Sequence, residues 1–199
     1  MEMNDFDFEP IFENKTNLDR RIISDLDHLA KVSAALKVKG LKIVLTQGVF
    51  DLIHEGHAKY LEHAKSLGDV LIVGIDSDEF TKQRKGPNRP IVPQDERINM
   101  LVHLRHVDLV SIREAHHEIG DTIFAVRPDV LLTSSSTADF TENMKKEYEG
   151  VVGEIVTIPP QATTSTTARI RNLTIEGAEK LASEVNKLTQ EFLEKIKNN

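Results

Sequence analysis

The sequence predicts an α/β fold: a doubly wound (Rossmann-like) parallel sheet with flanking N- and C-terminal helices. Three observations predict it. Short apolar runs such as VLIVGI (Val70–Ile75) alternate along the chain with segments of helical periodicity. Strands this uniformly apolar are covered on both faces, which a parallel sheet between two helix layers provides. The chain, at 199 residues and 39% hydrophobic content, is long enough to bury one core.

The elements follow in order. MEMNDFDFEPIFEN carries five acids and no base, so residues 1–18 read as a flexible acidic arm. Ile22, Leu26, Leu29, Val32 and Leu36 recur at three- and four-residue steps, predicting a helix from Asp19 to Val38, closed by Gly40. LKIVLT (Leu41–Thr46) is the first buried strand. A helix from Gly56 to Leu67 ends at Gly68, and Val70–Ile75 is the second strand. Residues 77–95 hold three prolines, a glycine and a basic cluster, which predicts a long, functional surface loop. Then come a helix (Glu96–His106), a strand (Val107–Ile112), a helix (Glu114–Val126) and the strands Asp129–Thr133 and Val152–Ile158. Residues 41–173 form the central domain. A C-terminal helix over 176–197 has Leu181, Val185, Leu188 and Phe192 on one face, read as packing rather than as a coiled coil.

Composition narrows the function. A formal net charge of -7 argues against a nucleic-acid partner, which needs a basic face. Cysteine is absent, which excludes disulfides and thiolate metal sites and fits a cytoplasmic protein. No apolar run is long enough for a membrane span.

The chemistry concentrates at TQGVFDLIHEGHAKYL, from Thr46 to Leu61. Gly48 lets backbone approach a ligand where the first strand leaves the sheet, and the N–H groups of that turn can face phosphate oxygens. His54 and His57 lie three residues apart, on one side of the first turn of the next helix. That helix start adds about half a positive charge and unpaired N–H donors. A phosphate that gains negative charge during a displacement suits such a cradle. His-x-Gly-His alone is a weak signal, and a capping histidine beside a packed one is the plain alternative. A zinc site is another, but it lacks a third ligand nearby, so no metal site is assigned.

Two further blocks raise the specificity. Lys85-Gly86-Pro87-Asn88-Arg89-Pro90 precedes Asp95-Glu96-Arg97, and Ser165-Thr166-Thr167-Ala168-Arg169-Ile170 comes late. In this order the blocks resemble the HxGH nucleotidyltransferase superfamily, in its cytidylyltransferase-like branch, and look most like the heptose-1-phosphate adenylyltransferases. The resemblance implies a transferase that joins an NTP to a phosphorylated sugar or alcohol, releasing pyrophosphate, with Mg²⁺ accompanying the NTP, and a homodimer. It assigns His54, His57 and Lys85 to catalysis. Gly48, Val49, Phe50, Ser165, Thr166 and Thr167 would bind the nucleotide. Asp51 and Asp76 would orient the second substrate, Asp51 close to Mg²⁺, and Arg97 would meet a phosphate. The plain alternatives are an N-terminal cap for the Thr-rich stretch, a strand-end cap for Asp76 and a structural ion pair for Arg97.

Departures from the pattern keep the substrates open. Cytidylyltransferases of glycerol, choline or ethanolamine phosphate carry an arginine shortly before Ser-Thr-Thr. Pro159–Thr164 has none, which weakens CTP against ATP. Gln47 and Val49 replace the Asn and Cys of the heptose branch, and Thr133–Asp139 puts a row of hydroxyls where that branch has Lys-Gly-Gly-Asp. A catalytically degenerate nucleotide-binding homologue is the competing expectation.

Overall fold

The computed structural model describes residues 18–135, 146–161 and 166–197. It divides into two compact units, residues 1–161 and residues 162–199. The sequence reading carries the central domain to 173, twelve residues past that division.

In the first unit, a single turn of 3-10 helix (Leu18–Arg21) leads into β1 (Ile22–Ile23) and α1 (Leu26–Val38). Then follow β2 (Ile43–Gly48), α2 (Glu55–Ser66), β3 (Val70–Asp76), α3 (Asp78–Lys85) and α4 (Gln94–His103). The unit closes with β4 (Leu109–Arg113), α5 (Asp121–Val126), β5 (Val130–Ser134) and β6 (Glu154–Ile158). Among the described residues, six strands form one sheet in the order β1-β4-β3-β2-β5-β6, and every pairing is parallel. All seven residues of β3 are buried. Side chains alternate between two cores. Leu71, Val73 and Ile75 pack with Leu61 of α2 and Leu101 of α4; Val70 and Ile72 pack with Leu29 and Leu36 of α1 and Ile123 of α5. Covering both faces in this way makes the sheet doubly wound, as its apolar strands predict.

Strand order reverses between β2 and β5. From β2 the chain moves outward through β3 to β4, then returns to the other side of β2. Crevices at such switch points, beyond the carboxyl ends of the strands, are where open α/β sheets bind ligands. The turn from β2 into α2 starts there. Tyr60 of α2 ties the helix to both strands that flank the crevice: its hydroxyl lies 2.7 Å from Thr46 Oγ1 and donates to the Leu132 carbonyl at 3.1 Å. Burial pushes the Tyr60 phenol up to about 12, so it stays a neutral donor.

Four elements depart from the sequence reading. The first helix begins at Leu26 rather than Asp19, because Asp25 caps it through the His28 N–H at 2.7 Å. Ile22 and Ile23 pair with Val110 and Ser111 as an edge strand. Residues 77–95 are not one long loop: α3 occupies Asp78–Lys85, with Ser77 as its cap, acids in its first turn and bases in its last. The helix expected over Glu114–Val126 is confined to Asp121–Val126. In the second unit, α6 (Thr166–Lys197) runs unbroken through the boundary expected near 176. Leu181, Val185 and Leu188, read as a packing face, are exposed. No helix among the described residues is long and apolar enough to cross a membrane. Most of the expected acidic arm, residues 1–17, lies outside the described residues.

One close approach fixes the entry into β3. A Cβ on Gly68 would lie 2.7 Å from the Lys42 carbonyl oxygen and 2.8 Å from Val44 Cγ2. The Lys42 carbonyl also accepts from the Asp69 and Val70 N–H groups at 2.8 and 3.1 Å. Gly68→Ala is therefore expected to destabilise the domain by about 2 kcal/mol in urea unfolding, since backbone on both sides must shift.

Candidate active site

The turn after β2 is tight. Phe50 and Leu52 take positive φ values of 50° and 48°. Gly48 fits closely beside them: a Cβ there would sit 3.3 Å from the Phe50 ring. The turn delivers His54 as the N-cap of α2, in extended conformation.

Both imidazoles then serve the backbone. His54 Nδ1 accepts from the Gly56 N–H at 3.1 Å, and His57 Nδ1 accepts from the His54 N–H at 3.3 Å. The two ring centroids are 4.1 Å apart. An Nδ1 that accepts carries no proton, so a neutral imidazole in this arrangement has its hydrogen on Nε2. Both rings thus become Nε2–H donors of fixed tautomer. Burial, then the neighbouring His54, lowers the His57 pKa from 6.5 to about 4; Asp51 opposes the shift and Lys85 adds to it. His57 is therefore neutral at pH 7, and an anion bound between the rings would stabilise its protonated form.

Lys85 is the last residue of α3 rather than part of a loop. It is an exposed residue, yet desolvation of its ammonium lowers its pKa. Asp76 acts against that shift, Arg84 and Arg89 act with it, and Asp51 acts against it. Its charge adds to the lowering of the His57 pKa.

The two carboxylates assigned to the second substrate are engaged inside the chain. Asp51 accepts from the Ile91 and Val92 N–H groups at 2.9 and 3.0 Å and from Arg89 at 2.9 Å. It latches the segment after α3 to the histidine turn. Burial opposes these contacts, yet together they leave its pKa below the ordinary carboxylate value. Asp76 is fully buried, held at 2.7 Å by Arg113 on one oxygen and at 2.7 Å by Arg84 on the other. Arg97, assigned to a phosphate, is 1% exposed and forms an ion pair with Asp78 at 2.6 Å. Among the described residues, no group of three His, Cys, Asp or Glu is placed to hold a metal ion.

Arg84 and Arg113 were not singled out by sequence reasoning, and Arg89 entered only as part of the Lys85–Pro90 block. Their signal was faint: Arg113 ends an apolar strand and faces Asp76 in register on β3. Four cations (Lys85, Arg84, Arg89 and Arg113) stand against two carboxylates here. A chain of net charge -7 therefore presents a locally positive site. Ser165 lies outside the described residues, as do Ser136–Asp139 of the hydroxyl row. Thr166 and Thr167 open α6 in the second unit, and their side chains also lie outside the description.

His54 does the capping that the plain alternative gave it, at the switch point of a parallel sheet, and comparison with known proteins decides the family. The cytidylyltransferase-like pattern matches residues 45–173. The chain belongs to the cytidylyltransferase-like family. That membership makes it a nucleotidyltransferase. Among relatives, the bifunctional protein HldE of Desulfatibacillum aliphaticivorans is 34% identical over 151 residues, covering 76% of this chain and 31% of the relative. HldE of Geobacter metallireducens is 41% identical over 134 residues, covering 67% and 25%. HldE of Nitratiruptor sp. is 46% identical over 110 residues, covering 55% and 24%. The chain thus matches only a quarter to a third of the length of these relatives. The crystal structure of the lipopolysaccharide core biosynthesis protein from Thermoplasma volcanium is similar at TM-score 0.54 and 30% identity, covering 61% of this chain and 98% of that one. A pantoate-beta-alanine ligase from Francisella tularensis, at TM-score 0.53 and 18% identity, covers 80% of this chain and 76% of its own, and shares the fold alone.

Three outcomes are expected. In long-range ¹H–¹⁵N spectra, His54 and His57 should both show the Nε2–H tautomer, with His57 titrating near 4; a His57 midpoint near 6.5 contradicts the arrangement. The folded pKa lies below the unfolded one. Stability should therefore fall as pH drops from about 6.5 to about 4, where the unfolded chain takes a proton that folded His57 refuses. Asp51→Ala should free the latched segment. Limited proteolysis should then cut between Gly86 and Pro93 several-fold faster, while unchanged cutting would show that the three bonds do not hold the segment.

Proposed function

We propose that this chain transfers an adenylyl group from ATP to the phosphate of a heptose-type sugar phosphate. An acceptor phosphate oxygen attacks the α-phosphorus as the bond to the bridging β-phosphate oxygen breaks. Pyrophosphate leaves, and no covalent enzyme intermediate forms. Such transfers depend on positioning and charge stabilisation more than on a protein nucleophile. The observation that carries the reading is the pair of backbone-locked imidazoles where β2 meets α2.

Each part has a task on this reading. The His54 and His57 Nε2–H groups donate to oxygens of the triphosphate as their charge grows. Lys85 offsets charge on the same oxygens. Backbone at Gly48, Val49 and Phe50 lines the α-phosphate side. Ser165, Thr166 and Thr167 are carried over from the resemblance as ligands of the β and γ phosphates. Mg²⁺ is proposed to arrive on the triphosphate. The oxygens of Asp51 and Asp76 are committed to chain partners, so the described residues offer it no cage of their own.

ATP is favoured over CTP because Pro159–Thr164 lacks the arginine of the cytidylyltransferases. A sugar acceptor is favoured by the HldE relatives and by the lipopolysaccharide protein of similar structure.

Pyrophosphate release across a panel of NTPs and phosphorylated sugars and alcohols tests the assignment. ATP with a heptose phosphate should be turned over fastest, and a CTP-dependent product from an alcohol phosphate would reverse it. His57→Ala should lower kcat by about 100-fold or more while removing only a helix cap, worth about 1 kcal/mol. Full activity in both histidine variants would sink the mechanism.

A further inference from the structure

Arg97 is 1% exposed and each of its nitrogens is held by an acceptor of the chain. Its Nε donates to the Val92 carbonyl at 2.8 Å, and Nη2 binds Asp78 at 2.6 Å. Nη1 donates to the Val49 carbonyl at 2.6 Å and to the Asp76 carbonyl at 3.0 Å. One planar cation thereby joins the turn after β2, the end of β3, the start of α3 and the segment before α4.

The contact with Val49 has a geometric corollary. The Val49–Phe50 peptide is trans, because Arg89–Pro90 is the cis bond recorded. In a trans peptide the C=O and the following N–H point in opposite directions. A Val49 carbonyl held toward buried Arg97 turns the Phe50 N–H to the side away from Arg97. That N–H donates to no acceptor among the described residues. The next residues sustain the orientation, since Phe50 and Leu52 keep left-handed φ values that non-glycine residues adopt at a cost.

We propose that Arg97 is a positioning residue for nucleotidyl transfer: by gripping the Val49 carbonyl from below, it aims the Phe50 N–H at the reacting phosphate. The inference rests on the transferase reading above. It replaces direct phosphate contact by Arg97 with action through a peptide plane. A lysine cannot reproduce the grip, because one ammonium cannot span four acceptors held in fork geometry.

The test has two arms. In the first, Arg97→Lys is compared with Asp78→Asn, which weakens the same ion pair but leaves the Val49 contact intact. Arg97→Lys should lower kcat by about 100-fold with KM for ATP changed less than about twofold, the mark of a misplaced transition-state contact. Asp78→Asn should lower the melting temperature and keep kcat within about twofold of the parent. Equal losses of kcat in the two variants, or a folded Arg97→Lys with parental kcat, overturn the proposal. The second arm uses the unaltered chain, so it stands even where Arg97→Lys does not fold. With ¹⁵N-phenylalanine, eight amides are visible, and Phe50→Leu assigns the Phe50 peak. Added Mg-ATP should move the Phe50 amide proton downfield. Nucleotide that binds without moving this peak overturns the positioning role and leaves the transferase reading intact. Failure of every nucleotide to bind sinks the transferase reading, and the inference with it.

Discussion

Where α2 begins, the N–H groups of His54 and Gly56 need acceptors, and imidazole nitrogens supply both. Serine, threonine and the acids usually do this work at helix starts. Imidazole satisfies the backbone with one nitrogen and keeps a second nitrogen for something else. The helix start, the tautomers and the direction of two donors are therefore one constraint. Tyr60 extends it to the sheet, since its hydroxyl pins the same helix to β2 and β5 on either side of the crevice.

The electrostatics follow a similar economy. Asp76 sits between Arg84 and Arg113, and Asp51 holds Arg89, so most site charges are fixed by partners before any substrate arrives. The excess remains positive. Burial, with the neighbouring His54, then keeps His57 neutral at pH 7. An acidic protein can thus gather cations at one place without a basic face.

Much of this was legible in the sequence, for reasons that differ by element. Central strands read correctly because burial on both faces leaves no polar interruption, as in Val70–Ile75. Ile22 misled because its spacing to Leu26 also satisfies helical periodicity; only pairing with Val110 tells strand from helix. Prolines and a glycine masked α3, although the Ser77 cap and the acid-to-base gradient along Asp78–Lys85 were in plain view. Within the site, the histidines were legible because motif and helix start are contiguous. The partners of Asp51 and Asp76 were not. Arg89 lies 38 residues from Asp51, and Arg113 lies 37 from Asp76. Strand register and chain reversal bring them together, and no local pattern encodes either.

Lys85 ends a helix that begins at the Ser77 cap, and its neighbour Arg84 is clamped to a buried carboxylate. An ammonium on a free loop would lose much of its motion each time a triphosphate docked, and that lost entropy would weaken every encounter. Here the restriction is imposed once, when the chain folds. Charge at this corner is accordingly presented from a backbone that is already in place.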